Sequence, residues 1–266
     1  MASRQIAVAA TGPFGADVLE RLAAEHDVVE LLTRPDKPRG RGRKVAAPPA
    51  KDAAERLGIR VAQPARLDES VELAAGTVVV CAYGLLIPNE LLERALWLNV
   101  HPSLLPRWRG AAPVERAILA GDDATGVTIH RTVEALDAGP IAAQQRFQVG
   151  IDDDAGVVFA RAAELTPDLI DAALDNQQPA PQAEDGTTYA EKIGRGDREL
   201  DWSRPPEELH NRIRALSPHI GARGLVEGRP AIVWRSQLTD NGLELLEVQP
   251  EGRRRMTYDE FLRGLR

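Results

Sequence analysis

The chain has 266 residues, 43% of them apolar, a single cysteine and a formal net charge of −7. That apolar share excludes a chain too polar to fold, and the acidic balance excludes blanket affinity for polyanions, so any nucleic-acid contact has to be local. The lone Cys81 excludes an internal disulfide, and no window has the length and hydropathy of a signal-peptide core or a membrane span, so a soluble, monomeric, cytoplasmic protein is expected.

In chain order, short apolar runs alternate with amphipathic segments. A strand at 5–10 precedes a helix at 16–25, a strand at 28–33 precedes a helix at 50–57, and a strand at 77–83 precedes a helix at 89–95. Strands written as continuous apolar runs belong to parallel sheets covered on both faces, where ligands bind beyond the strand carboxyl ends. Cys81 lies inside such a run and reads as a small buried hydrophobe. A short strand at 96–100, a helix at 113–120, a strand at 126–133 and a helix at 157–175, bent at Pro167, continue the pattern. From 176 to 185 the composition turns to Gln, Pro, Ala and acids, the signature of an exposed linker. A helix at 206–215, strands at 225–236 and 243–248 and a helix at 258–265 follow. These elements predict a catalytic α/β domain over 1–180, a linker over 181–205 and a small β-containing domain over 206–266.

Two polar side chains mark the end of the strand at 96–100. Asn99 and His101 are two positions apart, so alternation along an extended chain turns both to one side. An amide and an imidazole converging on one point can bind a developing oxyanion, and the imidazole can move a proton, which are the two needs of acyl transfer. Asp137, in a turn after the strand at 126–133, is placed to reach the same crevice and hold His101. His130 reads as packing or surface, and His26, His210 and His219 show no partner pattern. No group of His, Asp and Cys has metal-ligand spacing, so no metal is expected.

The run Asn99-Val100-His101-Pro102-Ser103-Leu104-Leu105-Pro106, followed by Arg109-Gly110, resembles the signature of folate-dependent formyltransferases. Arg107-Trp108-Arg109-Gly110-Ala111-Ala112-Pro113, Leu136-Asp137-Ala138-Gly139, Ala82-Tyr83-Gly84-Leu85-Leu86-Ile87-Pro88 and Tyr189-Ala190-Glu191-Lys192 are similar to the branch that acts on methionyl initiator tRNA. The resemblance implies a Rossmann-like formyltransferase domain with a mostly parallel sheet and a catalytic trio of Asn99, His101 and Asp137. It implies 10-formyltetrahydrofolate as formyl donor, in a pocket bordered by Tyr83, Leu85, Leu86 and Ile87 on one side and Ser103, Leu104, Leu105 and Pro106 on another. The expected chemistry is attack of a neutral amine on the formyl carbon, with Asn99 and protonated His101 binding the oxyanion. The region from Pro206 is shorter than the family's OB-like domain, so a truncated version of that fold is expected, its share in tRNA binding open.

Residues 34–44 hold six basic residues against one acid. With this arm at +5 and the whole chain at −7, the remainder carries −12, which makes the arm a local positive feature on an acidic body. Its interspersed Gly and Pro disfavour a regular helix, and phosphate contact is its natural use. The resemblance implies that Arg39, Arg41, Arg43 and Lys44 meet the acceptor stem of the tRNA. Arg253, Arg254, Arg255, Arg263 and Arg266 form a weaker second basic patch. A sugar-nucleotide N-formyltransferase would share the trio but offers no reason for the arm. A non-catalytic RNA-binding relative would have no need of the trio. A nicotinamide-dependent oxidoreductase fails on the first turn, where Gly12 and Gly15 do not make G-x-G-x-x-G.

Overall fold

The computed structural model describes residues 3–39 and 44–265. Two compact units divide the chain: one comprises Met1–Arg109, Gly126–Arg146 and Ala160–Thr187, the other Gly110–Thr125, Phe147–Phe159 and Thr188–Arg266.

The first unit is built on a seven-stranded sheet in the order β10-β9-β7-β6-β1-β2-β5. These strands are β1 (Gln5–Ala10), β2 (Asp27–Leu32), β5 (Arg60–Ala62), β6 (Thr77–Cys81), β7 (Leu96–His101), β9 (Ala124–Arg131) and β10 (Ile141–Gln148). The pairs β1–β2, β1–β6, β2–β5 and β6–β7 are parallel, whereas β9 runs antiparallel to β7. Helices α1 (Pro13–Glu25), α2 (Pro49–Leu57), α3 (Asn89–Leu92) and α5 (Ala155–Asp175) complete the Rossmann-like alternation. The centre of the sheet is uniformly apolar, as its burial on two faces requires: Ile6 to Ala10 of β1 and Val78, Val79 and Cys81 of β6 are all fully buried. A Cβ on Gly15 would stand 2.8 Å from both the Ala10 side chain and the Cys81 carbonyl, so glycine in the first turn of α1 lets that helix lie close on the sheet. Cys81 is a free buried thiol whose pKa burial pushes well above the ordinary range. Helix α5 continues through Pro167, with Thr166 Oγ1 bonding the Ala162 carbonyl at 2.9 Å.

Four strands of this unit escape the periodicity reading. The arm contains a short hairpin, β3 (Lys37–Arg39) paired antiparallel with β4 (Lys44–Ala46). Strand β5 has only three residues, none fully buried. Strand β10 lies at the sheet edge with mixed exposure and no sustained apolar alternation. The predicted helix at 89–95 ends at Leu92, and the following residues turn directly into β7.

The second unit contains β8 (Arg109–Gly110) at its boundary, α4 (Pro113–Leu119), β11 (Tyr189–Ala190), α6 (Pro206–Ala215) and a four-stranded antiparallel sheet, β12 (Ala222–Val226), β13 (Arg229–Thr239), β14 (Gly242–Pro250) and β15 (Met256–Thr257). One strand predicted over 225–236 is two, joined by a tight turn at Glu227-Gly228 where both residues have positive φ, +49° and +73°. That is the geometry a right-twisted hairpin selects, and a non-glycine residue at its first position hides it from the sequence. The sheet has one strand fewer than a five-stranded OB barrel, as its length predicts. Its core gathers Leu209 and Ile213 of α6, Val233, Val248 and Phe261, all buried. The last of these is carried by α7 (Tyr258–Arg263), which begins in a full capping box between Thr257 and Glu260. The stretch predicted as linker, 181–205, carries β11 and a single 3-10 turn, Gly196–Arg198. In the second basic patch, Arg255 stacks at 3.9 Å on the Trp234 ring and faces Glu247 at 3.8 Å, while Arg266 lies outside the described residues.

Candidate active site

The site is assembled where β7 leaves the sheet, entirely within the first unit. The antiparallel register pairs Asn99 with His130 and His101 with Thr128, so the side chain on β7 acquires a partner directly across on β9. Asp137 comes in from the turn after β9. Its φ of +47° lies in the left-handed region that short polar side chains tolerate, and the turn is tightened by Gly139, where a Cβ would sit 1.7 Å from the Arg131 carbonyl oxygen. Ala82, after β6, and Trp108 also have positive φ, +47° and +65°. Strained backbone therefore gathers around this end of the sheet, as it does around functional sites.

The three expected side chains meet. Asn99 Nδ2 donates to Asp137 Oδ1 at 3.1 Å, and His101 Nδ1 stands 3.7 Å from Asp137 Oδ2. All three belong to one cluster, with the His101 and Asp137 side chains less than one-tenth exposed. His101 Nε2 lies 2.8 Å from the Trp108 carbonyl, an acceptor only, so this nitrogen carries the hydrogen in the neutral ring. Its lone pair is then on Nδ1, toward Asp137. Burial lowers the His101 pKa below its ordinary 6.5, and His130 adds to that, against the raising effects of Asp137 and the Trp108 carbonyl. The neutral imidazole is therefore favoured at neutral pH, which differs from the protonated His101 expected from sequence; desolvation of the ring is the reason.

Two residues of the cluster were not legible in the sequence. His130, read as packing, has its Nε2 3.1 Å from Asn99 Nδ2 and 3.6 Å from Asp137 Oδ1. Gln182, inside the compositionally linker-like stretch, donates from Nε2 to the carbonyls of Asp137 and Gly139 at 2.7 and 2.8 Å, and its Oε1 accepts from Arg109 at 2.6 and 3.0 Å. It pins the Asp137 turn. Strand pairing could have pointed to His130, because its position opposite Asn99 follows once β7 and β9 are placed side by side; nothing in composition points to Gln182.

The residues expected to border the donor pocket divide by exposure. Tyr83 is 2% exposed, its pKa pushed up to about 12 by burial, while Leu86 is 84% exposed and Leu85 stands at the surface beside it. Ile87 packs against the core beneath β6 and β7. Exposed apolar side chains at a strand carboxyl end suit a flat ring system better than bulk water. In the second stretch, Ser103 and Leu105 are buried and spent on the loop itself. Ser103 Oγ donates to the Arg107 carbonyl at 2.7 Å, Thr128 Oγ1 donates to the Ser103 carbonyl at 2.7 Å, and Leu105 N donates to Thr128 Oγ1 at 3.2 Å. Leu104 and Pro106 are partly exposed, and the Leu105–Pro106 peptide is cis. Among the described residues no group of three or more His, Cys, Asp or Glu could hold a metal ion, and no helix is long and apolar enough to cross a membrane.

The arm is anchored at its base. Its one acid, Asp36, accepts from Lys51 at 2.9 Å and from Gln63 at 2.7 Å, which hold its carboxyl below the usual range, Gln63 foremost. Arg39 and Lys44 face one another as a backbone pair across the hairpin. Arg41 and Arg43 lie outside the described residues.

A family model described as formyl transferase matches residues 4–174, and one described as formyl transferase, C-terminal domain, matches residues 192–242. The methionyl-tRNA formyltransferase of Cereibacter sphaeroides is 39% identical over an alignment covering 94% of this chain and 93% of that relative. The methionyl-tRNA formyltransferase of Paracoccus denitrificans is 39% identical over 96% of this chain and 95% of its own length. Among solved structures, HypX from Aquifex aeolicus in complex with tetrahydrofolic acid superposes with a TM-score of 0.66 at 17% identity, over 98% of this chain and 46% of that one; the likeness is one of fold.

Proposed function

Since the chain belongs to the formyl transferase family, matched nearly end to end by methionyl-tRNA formyltransferases, we propose that it transfers the formyl group of 10-formyltetrahydrofolate to the α-amino group of methionyl initiator tRNA. The single observation that carries the chemistry is the convergence of Asn99, at 3.1 Å, and His101, at 3.7 Å, on the Asp137 carboxylate at the end of β7.

The substrate amine must be neutral to attack, and an α-amino group with a pKa of about 8 is partly neutral at physiological pH. Its lone pair forms a bond to the formyl carbon, and the carbonyl electrons move to oxygen. An N–H of Asn99 donates to that oxyanion. The nitrogen now bears a positive charge and loses a proton to Nδ1 of neutral His101, directly or through water. The imidazolium so formed faces Asp137 at 3.7 Å, which stabilises it. Collapse of the oxyanion breaks the bond to the folate nitrogen, which leaves with the proton held by His101, giving formylated amine and tetrahydrofolate. Atoms and charge balance without a metal or an oxidant.

The acceptor is supported by the basic arm, whose net charge of +5 over residues 34–44 suits a phosphate backbone and whose one acid, Asp36, is bonded to Lys51 and Gln63. Residues 1–180 would then carry the chemistry, with residues 206–266 as a separate small domain. The test is formyl transfer by purified protein from 10-formyltetrahydrofolate to methionyl initiator tRNA, with an amino-sugar nucleotide offered in parallel. Formylated methionyl-tRNA is expected. Formylation of the sugar nucleotide with the tRNA untouched would retire the acceptor reading and leave the catalytic one standing.

A further inference from the structure

Away from the catalytic cluster, one buried acid has an oxygen with nothing to bond. Glu30 lies within β2, three strands along the sheet from β7, and is 1% exposed. Parallel register sets Arg60 of β5 beside it, and Arg60 Nε stands 3.3 Å from Glu30 Oε1. Glu30 Oε2 has no hydrogen-bond partner among the described residues. Leaving a buried carboxylate oxygen without a donor is costly, so a donor brought from outside the chain would be taken up favourably. Room for one exists. Glu30 forms part of the wall of a cavity of about 500 Å³, within the size range of small-molecule sites, that lies beside β5 and the segment after it.

The lining sorts the ligands this cavity could take. Ala62, Pro64 and Val71 give it an apolar wall, and Arg60 and Arg66 supply positive charge from exposed side chains. Of the two other acids along it, Glu72 is exposed to water, and Asp68 is already engaged, accepting from the backbone N of Ser70 at 3.0 Å and from the Ser70 hydroxyl. The unmet need is a positively charged donor at Glu30, beside guanidinium groups that can receive an anion. Because Glu30 and Arg60 are register partners on neighbouring strands, a small ligand that answers both has to carry its own opposite charges close together. We propose that this cavity binds a free α-amino acid with an apolar side chain. Its ammonium donates to Glu30 Oε2, its carboxylate accepts from Arg60 and Arg66, and its side chain lies against Ala62, Pro64 and Val71. A simple amine would leave the guanidinium groups unused, and a simple carboxylic acid would bring like charge to Glu30. No covalent bond is made or broken, and the proposal does not rest on the formyl-transfer reading.

Isothermal titration calorimetry of the full chain with L-leucine, L-leucine methyl ester and N-acetyl-L-leucine removes one ligand charge at a time. L-leucine is expected to bind saturably and the other two about tenfold or more weakly, as the loss of a charge-assisted contact demands. Nitrogen-15 NMR locates the binding: amide signals over residues 60–72 are expected to move with L-leucine, while those of Asn99, His101 and Asp137 hold still. Glu30→Gln is expected to weaken L-leucine about tenfold or more, and Arg66→Ala, at an exposed position, about fivefold, both with an unchanged circular dichroism spectrum. Should Glu30→Gln fail to fold, the three ligands on wild type still decide. Absence of saturable L-leucine binding, either derivative binding as tightly as L-leucine, a folded Glu30→Gln with wild-type affinity, or signal changes confined to the catalytic cluster would each overturn the proposal. A wild-type protein that fails to formylate methionyl-tRNA would retire the functional reading and leave this result standing, since the binding measurement draws on no activity.

Discussion

The catalytic cluster and the basic arm are each carried by a handful of side chains, yet the fold treats them in opposite ways. At the end of β7, buried polar groups are held by neighbours on three segments: β9, the turn at Asp137 and the chain at Gln182. Among the described residues of the arm, Asp36 is held at the base by Lys51 and Gln63 and β3 pairs with β4, while the sequence of the arm supplies charge. Chemistry at a carbon atom needs donors placed to within a fraction of an ångström, and a burial cost is accepted for that placement. Attraction of a phosphate backbone works over roughly a Debye length of 8 to 10 Å and tolerates imprecise geometry. Substitutions should therefore separate the two regions: those in the cluster alter turnover, and those in the arm alter the tRNA concentration needed to reach it.

The sharpest break is His101→Ala, which removes the proposed proton acceptor. It is expected to cut kcat by about 10²- to 10⁴-fold with little change in the KM for tRNA, measured by steady-state formyl transfer beside circular dichroism to verify the fold. Asp137→Asn comes next, with kcat lower by about ten- to a hundredfold, since asparagine keeps the left-handed turn but withdraws the charge facing His101. This variant also has a sign in pH. Burial already holds the His101 pKa below 6.5, and Asp137 is the foremost cause raising it, so its removal moves the acid limb of kcat/KM to lower pH. The same burial means that the His101 contribution to stability is present above pH 6.5 and is lost as pH falls from there through the lower folded value, because the unfolded chain binds the proton more tightly.

In the arm, Arg41→Ala combined with Arg43→Ala is expected to raise the KM for tRNA about tenfold, leave kcat at saturating tRNA unchanged, and reduce the slope of log KM against log salt by roughly one to two. Gln182→Ala is the smallest and the finest probe. It frees the Asp137 turn and removes the Oε1 that accepts from Arg109. A loss of about threefold in kcat is expected with the KM for tRNA unmoved, because the two neutral hydrogen bonds to the turn contribute on the order of 1 kcal/mol. A rise in the KM for tRNA in Gln182→Ala would blur the division between cluster and arm.

How much of this was written legibly in the chain follows the same division. The buried parallel strands declare themselves as apolar runs, and Pro206–Ala215 matches its predicted helix at both ends because proline starts it and its amphipathic period is clean. The pairing of Asn99 with His101 on one side of β7 follows from strand alternation alone. Strand β10 does not show, since an edge strand with polar residues on its outward face has no period to read. The place of His130 in the cluster was missed because it depends on which strand lies beside β7, and pairing of distant strands is not a property of a local window. Gln182 was missed for a related reason: Gln, Pro and Ala compose an exposed linker as readily as a segment laid across a turn. The arm was legible in charge but not in shape, since β3 and β4 are three residues each.

The most direct test of the separation is a single-turnover measurement of formyl transfer, with enzyme in excess, across a range of concentrations for wild type, His101→Ala and the Arg41/Arg43 double alanine variant. The arm variant should reach the wild-type rate once the concentration is high enough, and His101→Ala should stay slow at every concentration. An arm variant that remains slow at saturation, or a His101→Ala variant that reaches the wild-type rate, would contradict the account.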